Sequence, residues 1–345
     1  LSDRRDTDPV VVPVVVPVVV PVVVPVVVIG ADSPFGRGVM PRLAATDGLR
    51  AIGAARNPQH GAAETIEWRT CDTNDAASVA AALAGAATAV NCVMGDAVTM
   101  VSATRNLCAA AHAAGLRRIV HVSSMAVYGG ATGLVDEAHP LDAGAGWYAQ
   151  ARVACEALVR DYVAAGGDAV ILRPGCIHGP HSAHWTVRIG RLLQRHRIGD
   201  LGAAGDGLCN LIHVDDAAAA IAAALRKPGI AGEAFNVSDP DPPTWNAYFM
   251  RFGQAIGATP ISRISARWLK LETTGLAPLL KAAQLAAARV GLDAMVPDPV
   301  PKSLLSLWQQ DIQLDHRKAD AWLAFPRTPP EAALADAAAW FTAQH

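Results

Sequence analysis

From residue 26 onward the chain alternates between two hydrophobic rhythms. Short apolar runs at Val26–Ile29, Arg50–Ala55, Ala89–Val93, Arg118–Ser123 and Ala169–Leu172 read as buried strands. The alanine-rich stretches Ala76–Ala84, Val101–Ala114 and Tyr148–Ala165 between them read as helices. Strand and helix in strict alternation predict an α/β fold, a Rossmann-type doubly wound parallel sheet covered on both faces. After Arg173-Pro174 the rhythm loosens into loops, tryptophans and prolines, before a helical tail that ends at Leu334–Phe341. That half is expected to be a smaller, mainly C-terminal substrate-binding region over 174–345. The apolar segments Leu211–Val214 and Ala234–Val237 are expected to return to the sheet built by residues 26–173.

The first 25 residues follow a different rule. Residues 10–29 are about as long and apolar as a membrane span. Pro9, Pro13, Pro17, Pro21 and Pro25 recur every fourth residue, however, and each costs a helix about 3 kcal/mol. No helix survives five such sites, so residues 1–25 are expected to be an extended low-complexity tail with no membrane role.

Charge narrows the partners. A formal net charge of -2, without any run of lysines or arginines, excludes a general attraction to nucleic acid or anionic lipid. The expected partners are a small-molecule substrate and a second copy of the chain. Six dispersed cysteines without a C-x-x-C pair read as reduced thiols of a cytoplasmic protein. No metal site is expected: His178, His181 and His184 recur every third residue, but Gly179-Pro180 breaks any shared face and no thiol or carboxylate cluster completes a set.

Two groups of residues carry chemistry. Ser124 stands at a strand end, and 24 residues later comes Tyr148, with Arg152 four positions beyond it on the same helix face. A hydroxyl, a tyrosine and a fixed cation in this order suit proton transfer at a carbonyl or alcohol; the bland alternative is a packed tyrosine beside a solvated surface arginine. The second group is the turn Gly30, Ser33, Gly36 between a strand and a helix, which offers backbone amides and a positive helix end to a pyrophosphate. Arg56, after the next strand, favours the 2′-phosphate of NADP, with NAD as the alternative, and Arg37 would compete for the same phosphate.

With VHVSSMAVYG at 120–129, LRPGCIHGP at 172–180 and LIHVDD at 211–216, the chain from Val26 to its C-terminus resembles the extended short-chain dehydrogenase/reductase superfamily, in its NAD-dependent epimerase/dehydratase group. The resemblance implies that Ser124 holds the substrate oxygen and that Tyr148 is the acid/base. It places Arg152 where the family carries a lysine. It also implies cofactor contacts at Phe35, Asp72 and Val93, and dimerisation through the helices that begin near Val101 and Tyr148. Several positions depart from the family pattern. Ser33 and Pro34 alter the phosphate turn, Met100 replaces an asparagine, and Cys176, His178 and Cys209 argue against a UDP-sugar substrate. Three outcomes follow: an oxidoreductase acting on an alcohol or ketone, a sugar epimerase or dehydratase, or a cofactor-binding protein with little or no catalysis.

Overall fold

The computed structural model describes residues 23–58, 66–289 and 296–344. The proline-repeat tail, up to residue 22, lies outside the described residues. Among the described residues eleven strands run β1 (Val24–Ile29), β2 (Leu49–Ala55), β3 (Glu67–Thr70), β4 (Thr88–Asn91), β5 (Arg118–Val122), β6 (Gly133–Val135), β7 (Ala169–Pro174), β8 (Cys176–His178), β9 (Leu211–His213), β10 (Ala234–Val237) and β11 (Ile312–Leu314). Seven of them form one sheet in the order β10-β7-β5-β4-β1-β2-β3, and every pairing in it is parallel. β1 begins at Val24, two residues before the expected start. Pro25 is paired opposite Arg50 at the entry of the strand, where a missing N–H is tolerated.

The run Val26-Val27-Val28-Ile29 is apolar throughout because both faces of β1 are covered. Val26 and Val28 point into one core and Val27 and Ile29 into the other, the alternation a strand imposes. The first face is covered by α1 (Pro34–Ala44) and, later in the chain, by α6 (Val214–Arg226) and α11 (Arg317–Leu323). The second is covered by α2 (Ala76–Ala82), α3 (Ala97–Ala114) and α4 (Trp147–Ala164).

A separate aromatic core organises the C-terminal half. It brings together α5 (Arg188–Gln194), α7 (Trp245–Ala255), α10 (Lys302–Gln309) and α12 (Pro330–Gln344) around Trp245, Tyr248, Phe249, Phe252, Trp308 and Phe341. The helices α8 (Ala266–Leu271) and α9 (Ala277–Ala288) extend beside it.

Of the two segments expected to return to the sheet, only one does. Ala234–Val237 joins as β10 at the edge, against β7. Leu211–His213 pairs instead with β8 in a sheet of two strands. The edge of β7 is already filled by β10, and Asn210 is held elsewhere: its side chain donates to Ile312 O at 2.8 Å and accepts from Leu314 N at 2.8 Å. These bonds fasten the segment to β11, which pairs with β6 beside the aromatic core.

Candidate active site

Strand order reverses between β1 and β4, which opens a crevice beyond their carboxyl ends. A cleft of about 1240 Å³ continues from there, bounded by the N-terminal end of α4, by the segment that follows β8, and by α10. Ser124, Tyr148, Arg152 and Phe35 all line it.

The helix α4 places Tyr148 and Arg152 one turn apart. The Arg152 Nε donates to the Tyr148 hydroxyl at 3.1 Å, and the guanidinium carbon lies 5.2 Å from the centre of the ring. Its other nitrogens donate to Val122 O at 3.0 Å and to Val93 O at 3.4 Å, the backbone ends of β5 and of the chain beyond β4. With 4% of its surface exposed, Arg152 is no solvated helix arginine. A planar fork suits this bracket between a phenol and two carbonyls better than a compact ammonium would. Ser124 Oγ accepts from Ala126 N at 3.2 Å, capping the short turn Met125–Tyr128, and this fixes the hydroxyl at the cleft edge.

At the nucleotide end, two glycines are required by contact. A Cβ at Gly36 would stand 2.3 Å from Gly30 O, and one at Gly30, whose φ is +77°, would stand 2.9 Å from the Val93 Cα. The start of α1 is thus drawn against the ends of β1 and β4. Ser33 caps the helix by accepting from Gly36 N at 3.0 Å and donates its hydroxyl to Cys92 O at 3.1 Å, so the side chain that replaces glycine is turned inward. Pro34, at the first helical position, removes an amide that has no partner in a helix in any case. A helix N-terminus in a cradle closed to any side chain fits the pyrophosphate of a dinucleotide.

The remaining predicted cofactor residues lie outside the cleft wall. Arg56 is exposed at the end of β2, and Asp72 is exposed beyond β3 with Oδ1 accepting from Asn74 N at 3.0 Å. Val93 is buried, and its carbonyl is the one Arg152 holds. The competing Arg37 is tethered, its Nε donating to Asp32 O at 2.9 Å.

Behind the floor, Met100 packs against Ala151 and Cys155, so apolar surface occupies the place of the family's asparagine. Next to it Asn91 donates to Thr104 Oγ1 at 3.1 Å and lies 3.1 Å from His121 Nδ1. Burial, reinforced by the Arg152 charge, pushes the His121 imidazole down to about 3 and keeps it neutral.

The three spaced histidines are not brought together. His178 is buried against His213, with ring centres 5.4 Å apart, whereas His181 lies on Trp340. His213 Nε2 meets Asp336 at 3.1 Å, and Asp216 accepts from Thr328, so LIHVDD fastens α12 and the loop before it. Among the described residues no group of three or more His, Cys, Asp or Glu side chains is arranged to hold a metal ion. Of the tryptophans, Trp147 and Trp185 line the cleft, whereas Trp245 is fully buried in the aromatic core.

Sequence reasoning missed Glu156 and Arg188. Glu156 follows Arg152 by one more turn and accepts from Ser123 at 2.7 Å and from Arg173 at 3.0 and 2.8 Å. Four-residue spacing on α4 was a signal for it. Arg188 lines the far wall of the cleft, and no motif marks it.

A doubly wound sheet, a glycine-walled turn and a tyrosine–arginine pair at the crevice together define a dinucleotide-dependent enzyme. The chain belongs to the NAD dependent epimerase/dehydratase family, whose sequence profile matches residues 26–238. It is 32% identical over 164 residues to the 3-diazoavenalumate denitrifying reductase of a Streptomyces species; the match takes in 46% of this chain and 52% of the reductase, about half the length of that relative. The UDP-glucose 4-epimerase of Thermotoga maritima, solved with UDP-glucose, shares the fold with a TM-score of 0.72 at 14% identity, over 93% of this chain and 99% of the epimerase. The UDP-glucuronic acid 4-epimerase of Bacillus cereus, solved with NAD, does so with a TM-score of 0.69 at 16% identity, over 93% and 99%. Among the described residues no helix is long and apolar enough to cross a membrane.

Proposed function

We propose that the protein is an oxidoreductase that moves a hydride between a nicotinamide cofactor and a substrate alcohol or ketone. The observation that carries this reading is the Arg152 Nε to Tyr148 hydroxyl bond of 3.1 Å, made at the wall of a cleft large enough for cofactor and substrate. The bound nicotinamide supplies or accepts the hydride. Ser124 Oγ donates to the substrate oxygen and orients it. In the reducing direction the Tyr148 hydroxyl gives its proton to that oxygen as the carbonyl becomes an alcohol, and the tyrosinate left behind is stabilised by the Arg152 N–H and charge. The reverse direction moves the same proton back. Phe35, with Gly30, Ser33 and Gly36, holds the pyrophosphate. Val93 acts through its carbonyl, which keeps Arg152 in place, and Asp72 takes the adenine end.

An epimerase would use the same three side chains, with the hydride removed and returned to one substrate. The oxidoreductase reading is favoured because the chain is 32% identical over 164 residues to a reductase, whereas its likeness to the two epimerases is one of fold.

Absorbance of the reduced cofactor across a panel of carbonyls and alcohols tests turnover. Activity that survives intact in Tyr148→Phe would overturn the mechanism. For cofactor choice, exposed Arg56 supports a preference for NADP. Arg56→Ala is expected to lower the thermal-shift response to NADP and leave that to NAD unchanged, and a wild-type preference for NAD sinks this assignment. Self-association through the outer faces of α3 and α4 is supported by exposed Val98, and sedimentation of Val98→Glu tests it.

A further inference from the structure

We propose that Arg188 is the substrate anchor of the cleft and selects a small, largely apolar substrate that carries one carboxylate. The proposal deepens the hydride-transfer reading and rests on it for the cleft being the substrate site.

The charged or titratable side chains that line the cleft, Tyr148 aside, are Asp142, Arg152, His184 and Arg188, with buried cysteine thiols between them. Two of the four are committed by hydrogen bonds among the described residues. Arg152 is held by Tyr148 and two carbonyls. Asp142 accepts from Gly144 N at 2.6 Å. His184 is exposed at the cleft rim; the protein packed around it and the charge of Arg188 push its imidazole below the usual value and favour the neutral form. Arg188 has no hydrogen bond or ion pair among the described residues, although it is half-buried. Asp298 is near enough to act on its charge, and burial outweighs that help. A guanidinium withdrawn from water without a partner is costly, and an oxyanion that arrives with the substrate offsets that cost through charge-assisted hydrogen bonds.

The mounting of Arg188 is rigid. Ser182 Oγ donates to Ile177 O at 2.8 Å and accepts from Trp185 N at 3.2 Å, which pins the wide turn Ala183–Val187 that leads into Arg188. The Tyr248 hydroxyl donates to Trp185 O at 2.6 Å from the aromatic core. Ile189, the next residue, is fully buried. The backbone that carries the anchor is already ordered, so binding has only the Arg188 side chain to fix.

Among the described cleft residues Arg188 is the cation without a hydrogen bond, and it matches one negative charge. A diphosphate would bring more charge than the cleft offers, since Cys176 in its wall is a buried thiol and Cys209 lies behind the wall, not in it. Trp147, Trp185, Met125, Ile177 and Leu307 supply apolar surface to the same cleft. The chemistry that fits is an aryl or alkyl keto acid, or the corresponding hydroxy acid.

Calorimetry on the NADP-loaded protein tests this with aryl and alkyl keto acids, their methyl esters, and UDP-glucose. The acids are expected to bind about tenfold tighter than their esters or more. Arg188→Gln should erase that preference, Arg188→Lys should retain most of it, and Tyr148→Phe should leave it unchanged. The proposal is overturned if acid and ester bind alike, if neither binds, if Arg188→Gln keeps the preference, or if UDP-glucose binds tighter than every acid. The two readings fail separately. Acid preference without reduction of any carbonyl removes the hydride chemistry alone, whereas reduction without acid preference removes the anchor alone.

Discussion

The helix α4 serves two regions with one stripe of side chains. Tyr148, Arg152, Glu156 and Arg160 follow each other at four-residue spacing, and the stripe leaves the cleft between its second and third members. On the cleft side, Tyr148 and Arg152 are 3.1 Å apart across their hydrogen bond, with the guanidinium 5.2 Å from the ring centre. On the buried side, Arg173 donates to the Tyr128 hydroxyl at 2.8 Å, 5.1 Å from its ring centre. The two tyrosine–arginine pairs have nearly the same geometry, yet only one opens on the cleft. Tyr128 is sealed, and its hydroxyl donates to Asn236 Oδ1 at 2.6 Å, while Arg173 is also neutralised by Glu156. Burial pushes the Tyr128 phenol up to about 12 in spite of Arg173. A tyrosine beside a cation becomes an acid/base only where a substrate can reach it and the cation keeps its charge uncompensated.

The sharpest way to break this comparison is to remove each hydroxyl in turn. Tyr148→Phe is expected to lower turnover by about 10²–10⁴-fold, with little loss of stability. Tyr128→Phe is expected to do the opposite. It leaves Asn236 Oδ1 and one Arg173 N–H without their partner, at a cost of about 1–3 kcal/mol in chemical denaturation, while the rate per folded molecule holds. A Tyr128→Phe protein that folds well and has lost turnover would reverse the assignment of the two pairs.

Breaking the buried region at its carboxylate should cost more stability. Glu156→Gln leaves Arg173 as a buried charge without its counter-ion, and a loss of about 3–5 kcal/mol is expected. The same group sets an acid dependence. Burial alone would raise the Glu156 pKa, but Arg173, with Ser123 and Arg160, outweighs it and holds the carboxyl below its ordinary value. A folded-state pKa below the unfolded one contributes stability that is complete above the ordinary carboxylate range and is lost as pH falls through the folded value. Denaturation midpoints between neutral and acidic pH should therefore fall more steeply for wild type than for Glu156→Gln. Parallel curves would show that the carboxylate is not the acid-sensitive group.

How much of this was legible in the sequence follows from the range of each interaction. The strands were readable because residues such as Val26–Ile29 face two cores and so form unbroken apolar runs. Tyr148 and Arg152 were readable because helical spacing alone joins them. The buried network was not, since Ser123, Tyr128, Glu156, Arg173 and Asn236 come from five places in the chain and only the packed sheet brings them together. Leu211–Val214 was read as an apolar strand, correctly for its type, but three paired residues do not encode which edge they choose. Arg188 was hidden for another reason. It lies in RIGRLLQRHR among other arginines, and only the cleft wall distinguishes it.

The smallest expected effect concerns the position where the cleft pair departs from its family. Arg152 divides its donors between Tyr148 and two strand-end carbonyls, so it is at once the charge beside the phenol and a bracket across β5 and the end of β4. Lysine at 152 is expected to give up at least one carbonyl, because a single ammonium does not span the fork, and stability should fall by about 1 kcal/mol. In exchange, the ammonium can move and lose a proton, which a guanidinium does not do at accessible pH. Turnover by Arg152→Lys should therefore rise several-fold, with kcat changing more than KM for the carbonyl. If stability falls and kcat does not rise, the bracket is the whole role of Arg152, and the contrast between the two tyrosine–arginine pairs reduces to access alone.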